Sequence, residues 1–190
     1  TVLSGGLRRQ IETAKIAFGN GSAKTITADP SWNEFDLDAV FAGVASKLAA
    51  ADGGFAARWA EIQKEVAAGD HDIHRRWTPA DGEVMWAWIN NRFGGIDGVE
   101  TWPAFHDRIM LALNRLRTAG GSARIAVFTS ALPTAFCVGE ALGLDRNAVL
   151  SLAGTSYNTG VTTLTLDASS TALLSFNVAS HLPDRLITVR

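Results

Sequence analysis

Two hydrophobic periods divide this chain. Phe105, Ile109, Leu113 and Leu116 recur every three or four residues and line one face of a helix. Thr101 stands as its N-cap, Pro103 lies just inside it, and Gly120-Gly121 ends it. Residues 160–166 and 172–176 instead alternate, with 167–170 as the turn of a hairpin. Residues 123–129 read Ala-Arg-Ile-Ala-Val-Phe-Thr, a short apolar run expected as a buried parallel strand.

The other elements follow from the same signals. Residues 1–4 read as the end of a strand, 7–17 as a helix, and 24–28 as a short strand stopped by Pro30. Residues 32–38 form an acidic, aromatic loop that enters a helix over 39–51. Asp52-Gly53-Gly54 breaks the pattern, and helices follow over 55–68 and 81–93, the second holding Trp86 and Trp88. A helix over 133–142 comes after the apolar strand, and Asp145 caps a short one through Leu152. The tail at 186–189 reads as an edge strand. Helices alternate with strands, so the fold class is α/β with a mostly parallel sheet. One domain spans 1–190, with a mainly helical insertion at about 39–98.

Composition narrows the function classes. With 17 basic against 19 acidic residues, the chain lacks the basic excess of a nucleic-acid binder. No apolar run reaches the length of about 18 residues that a membrane span needs. The one cysteine, Cys137, cannot form an internal disulfide, and its apolar neighbours mark it as a small core hydrophobe. A cytoplasmic location is the default expectation. No metal-ligand cluster and no cofactor motif stand out, although His71 and His74 could share a helix face.

Chemistry concentrates at the start. Gly5 and Gly6 allow a tight turn, and Arg8 and Arg9 then fall in the first turn of a helix. Free N–H groups and the positive dipole end favour an anion there, and a guanidinium adds a planar fork that suits phosphate. The competing reading is a solvated Arg-Arg pair.

Ser4-Gly5-Gly6-Leu7-Arg8-Arg9-Gln10-Ile11-Glu12-Thr13-Ala14 resembles the SxLxRAxxTA segment of the histidine phosphatase superfamily, branch 1, the phosphoglycerate-mutase-like proteins. Three further segments resemble that family in the same order: Trp32-Asn33-Glu34-Phe35-Asp36, Val127-Phe128-Thr129-Ser130-Ala131-Leu132-Pro133 and Asn158-Thr159-Gly160-Val161-Thr162. The resemblance implies a three-layer α/β/α domain, a phosphomonoester substrate, no cofactor, and a helical insertion that serves as a cap.

The resemblance also implies site residues. Arg9 matches the family's phosphate-binding arginine on this helix, while Arg8 is a neighbour that faces solvent or a substrate tail. Glu34 matches the acid that protonates the leaving oxygen. Burial beside Trp32 and Phe35 would raise its pKa, and Asp36 and Asp38 are weaker candidates. Ser130 stands where the family has a histidine, so it brings a hydrogen-bond donor without a positive charge. It also fits a plain helix cap. His71, His74 and His106 match no family position, and His181 reads as structural.

The family's first strand carries an Arg-His-Gly motif with the nucleophile, and no such motif occurs here. The chain is expected to begin where the helix after that strand would have ended. Three readings follow: a weak or inactive phosphatase, a non-catalytic binder of a small phosphorylated molecule, or a piece of a longer enzyme. Homo-oligomerisation is left open.

Overall fold

The computed structural model describes residues 1–18, 25–69, 78–119 and 123–189. The chain forms two compact units. One comprises residues 1–34 and 106–190, and the other residues 35–105.

In the first unit, β1 (Val2–Ser4) leads through a glycine turn into α1 (Arg8–Phe18). After it come β2 (Ile26–Ala28) and a 3-10 turn at Pro30–Trp32. β1 pairs in parallel with β2 and with β3 (Ala126–Phe128), in the order β2-β1-β3. Helices connect these strands, as parallel pairing requires. α5 (Trp102–Arg117) enters the unit at His106 and buries Ile109, Ala112 and Leu113. Each large apolar side chain buried this way contributes about 1.5–3 kcal/mol.

α6 (Ala131–Leu142) follows β3 and buries seven residues between Leu132 and Gly139. α7 (Arg146–Gly154) is capped by Asp145, whose Oδ1 accepts from the Ala148 N–H at 2.9 Å. The two helices pack closely at Gly139, where a Cβ would come within 2.6 Å of Val149 Cγ2. Cys137 is buried in α6, and desolvation pushes its thiol up to about 12. A separate antiparallel hairpin, β4 (Val161–Leu166) with β5 (Thr171–Val178), pairs Leu164 with Leu173.

The second unit is helical. α2 (Leu37–Ala51) is capped by Asp36, which accepts from the Ala39 N–H at 3.0 Å. α3 (Gly53–Ala67) and α4 (Pro79–Ile89) complete it with the first turn of α5. Trp88 forms the centre of its aromatic core. Phe35 lies 4.5 Å away and Trp102 5.3 Å, centroid to centroid. The Trp88 indole N–H donates to the Glu100 carbonyl at 2.8 Å, which satisfies the polar end of a buried ring.

Five expectations need correction. Residues 123–129 are not fully buried: β3 is only half-buried, because among the described strands it pairs on one side alone and so forms an edge. Asp52-Gly53-Gly54 does not interrupt the helical run for long. Asp52 ends α2 and caps α3, accepting from the Gly54 and Phe55 N–H groups. Gly53 and Gly54 therefore lie in a first turn whose N–H groups need such an acceptor. α4 starts earlier than 81 because Thr78 and Asp81 form a capping box around Pro79. It ends at Ile89, short of 93, and Asn91 turns left-handed at φ 50. The tail at 186–189 forms no strand: a 3-10 turn occupies Asp184–Leu186, and Val189 makes one isolated bridge to Tyr157.

Candidate active site

The carboxyl ends of β1, β2 and β3 lie side by side, and each leads towards one of the three residues singled out above. Ligand sites of open α/β sheets occur at this edge.

Beyond β1 the ladder continues, with the Gly5 N–H donating to the Phe128 carbonyl at 2.9 Å. Gly5 is needed for close approach: a Cβ there would come within 2.9 Å of the Trp32 carbonyl oxygen and would clash with Gln10 Oε1. The Gly6 N–H donates to Asn33 Oδ1 at 2.5 Å, tying the turn to the loop after β2. Arg8 then points away, its side chain 89% exposed and paired with Glu12 at 3.0 Å. Arg9, one residue on, reaches Ser130: its Nη2 donates to Ser130 Oγ at 3.4 Å.

Ser130 occupies the N-cap position of α6 with extended backbone, but its hydroxyl makes no cap hydrogen bond. The plain-cap expectation is therefore corrected. The hydroxyl oxygen is already engaged, accepting from Arg9 and, at 2.9 Å, from Gln10 Nε2.

Glu34 reaches the same helix end. Its side chain is buried, and Oε2 accepts from the Leu132 N–H at 3.2 Å. A carboxyl oxygen meets one of the N–H groups that a helix start leaves without an intrahelical partner. The loop that carries Glu34 is held from three sides. Asp29 accepts from the Ser31 N–H at 2.9 Å and pairs with Arg115 at 3.0 Å. Burial pushes the Asp29 carboxyl up, but the bonds from Ser31 and Arg115 outweigh it and hold the pKa below the usual value. Arg108 Nη1 lies within 3.3 Å of the Pro30, Ser31 and Asn33 carbonyl oxygens. Thr129 Oγ1 donates to the Trp32 carbonyl at 2.5 Å.

The structure thus brings Arg9, Ser130 and Glu34 to the start of α6 and leaves Arg8 outside. Asp36 is used as the cap of α2, and Asp38 is exposed. His106 is partly exposed beside Asp107 at 3.3 Å, and His181 lies 3.2 Å from Thr159 Oγ1. His71 and His74 lie outside the described residues. Among the described residues no group of three or more His, Cys, Asp or Glu side chains could hold a metal ion. No described helix is long and apolar enough to cross a membrane. Of the two tryptophans of α4, Trp86 is 61% exposed, whereas Trp88 is core.

Sequence reasoning passed over Gln10 and Arg108. Gln10 carried one signal: it stands where the pattern SxLxRAxxTA has alanine. Arg108 carried none, since a basic residue beside Ile109 reads as the solvent face of α5.

The model of the histidine phosphatase superfamily (branch 1) matches residues 56–179, more than half of the chain. The chain belongs to this family. Its fold, a mostly parallel sheet with alternating helices and a small antiparallel hairpin, agrees with the family's phosphoglycerate-mutase-like α/β architecture. The matched span includes Ser130, while Arg9 and Glu34 precede it. No curated protein matches the chain. Chemically, the cluster unites a fixed cation, a hydroxyl and a buried carboxyl. A histidine phosphatase needs charge compensation for a phosphoryl group and a proton for its leaving oxygen.

Proposed function

We propose that this histidine phosphatase relative binds a small phosphomonoester between Arg9 and Ser130 and hydrolyses it slowly. The observation that carries this reading is the 3.4 Å approach of Arg9 Nη2 to Ser130 Oγ, which joins a cation and a hydroxyl from distant parts of the chain. Arg9 balances charge on the phosphoryl oxygens. Ser130 donates one hydrogen bond to them. Glu34, buried at the end of its loop, gives a proton to the leaving oxygen as water attacks the phosphorus and the bond from phosphorus to that oxygen breaks.

Turnover is low on this reading because Ser130 replaces a cation with a neutral donor, which weakens stabilisation of the transferring phosphoryl group. A second reading, a phospho-ligand binder without catalysis, is favoured by the same Ser130. No cofactor is required by either.

Titration with inorganic phosphate and vanadate, alongside p-nitrophenyl phosphate turnover, tests the proposal. Saturable anion binding with slow turnover is the expected result. Binding with no turnover selects the second reading. Absence of anion binding overturns both. Fast turnover would mean that the nucleophile lies elsewhere, and His71, His74 and His106 would then be replaced one at a time.

A further inference from the structure

Gln10 is a long polar side chain, 2% exposed, at the alanine position of a phosphate-binding pattern. Burying an amide is costly unless its groups are bonded, and here they are. Its Oε1 accepts from the Leu7 N–H at 3.2 Å. Nε2 donates to the Trp32 carbonyl at 3.3 Å and to Ser130 Oγ at 2.9 Å. A flipped amide would set Oε1 against the Trp32 carbonyl oxygen and NH2 against the Leu7 N–H. The surroundings therefore fix which end faces Ser130.

Ser130 is thereby left with one role. A hydroxyl has one hydrogen and two lone pairs. The amide of Gln10 and the guanidinium of Arg9 are both pure donors at Ser130 Oγ, so they take the lone pairs. The nearby Trp32 carbonyl already accepts from Thr129 as well as Gln10. No acceptor among the described residues receives the Ser130 hydrogen.

We infer that Gln10 is a positioning residue: it commits the Ser130 hydroxyl to donate to an oxygen of a bound phosphomonoester beside Arg9. The inference rests on the proposed phosphate site and adds how a serine serves there. Gly5 is part of the same device. A Cβ at Gly5 would clash with Gln10 Oε1, so the glycine leaves the space that the amide fills.

The test is a double-mutant cycle with inorganic phosphate, read by calorimetry on the full chain: wild type, Gln10→Met, Ser130→Ala and the pair. Methionine keeps the length and volume of Gln10 and removes its donor. Gln10→Met and Ser130→Ala should each weaken phosphate about tenfold, and the pair should be no weaker than Ser130→Ala alone. A residue that only stabilises the fold would weaken binding equally in both backgrounds, and that result overturns the inference. So does phosphate affinity indifferent to Gln10→Met. Absence of phosphate binding by the wild type overturns the proposed function and the inference together, whereas the previous two outcomes leave the proposed function standing.

Should Gln10→Met fail to fold, the side-chain amide resonances of Gln10 replace it. In the wild type one Nε2 proton should shift on adding phosphate, and Ser130→Ala should abolish that shift. A shift that persists in Ser130→Ala also overturns the inference.

Discussion

The buried carboxyl of Glu34 accepts a hydrogen bond from the Leu132 N–H at 3.2 Å. A loop after β2 is thereby fastened to the first turn of α6. The bond has two consequences that substitution can separate, because one depends on an acceptor oxygen and the other on a proton.

Glu34→Gln keeps an acceptor for the Leu132 N–H, so urea unfolding should move by less than about 0.5 kcal/mol. Any phosphatase turnover should fall about a hundredfold, since an amide cannot deliver the proton. Glu34→Ala orphans the N–H and should destabilise the fold by about 1–3 kcal/mol. Unchanged turnover in Glu34→Gln would remove Glu34 from the chemistry and leave it a structural tie.

The adjacent arginines should differ sharply. Arg9 reaches Ser130, while Arg8 is 89% exposed on the side chain and bonded to Glu12 one helical turn away. Arg9→Ala should weaken phosphate binding by roughly tenfold to a hundredfold, the range for a charge-assisted bond. Arg8→Ala should change it by less than about twofold, as for an exposed pair. Equal losses in titration calorimetry would refute the assignment of Arg9.

The strands, α1, α7 and the hairpin were legible because each carries its own local signal, such as the alternation from Val161 or the Asp145 cap. The half-burial of β3 was not legible. Its apolar run Ala126–Phe128 looks the same whether one neighbour or two cover it, and pairing is decided by distant chain. Gly53-Gly54 misled because glycine is read as a breaker, yet Asp52 supplies the acceptor that lets both start α3. At the candidate site, Arg9, Glu34 and Ser130 were legible through their segments. Gln10 was not, since its amide has meaning only where β1, the 3-10 turn and α6 meet.

Asp167 offers a pH test of the hairpin turn. The Ser170 hydroxyl and the Ser169 and Ser170 N–H groups donate to its carboxylate and hold the pKa at about 2, against an ordinary 3.8. A depressed carboxyl pKa gives stabilisation that is complete above the unfolded value and is lost as pH falls through the folded one. The turn should therefore stay closed at pH 4 and loosen as pH drops towards 2. A carbon-detected titration of the Asp167 carboxyl should show a midpoint near 2. A midpoint at the ordinary value would mean that these bonds do not persist in solution.

Arg108 should matter to the site without touching a ligand. One guanidinium nitrogen lies against three carbonyl oxygens, those of Pro30, Ser31 and Asn33, all in the loop that ends in Glu34. The same loop presents the Trp32 carbonyl to Gln10 and Thr129. Arg108→Met keeps much of the apolar stem but leaves these carbonyls without the donor. Stability should fall by about 2 kcal/mol, the scale for losing charged hydrogen bonds at partly buried groups. Phosphate affinity should fall as well, because the Trp32 carbonyl helps orient Gln10 and, through it, Ser130. Arg108→Lys should recover part of the stability: an ammonium can meet one or two carbonyls but lacks the planar reach of the guanidinium. The decisive comparison is between binding and unfolding of Arg108→Met. A chain that loses stability yet binds phosphate like the wild type would show that the loop tolerates displacement without disturbing the anion site, and the link from Arg108 to Gln10 would then be broken.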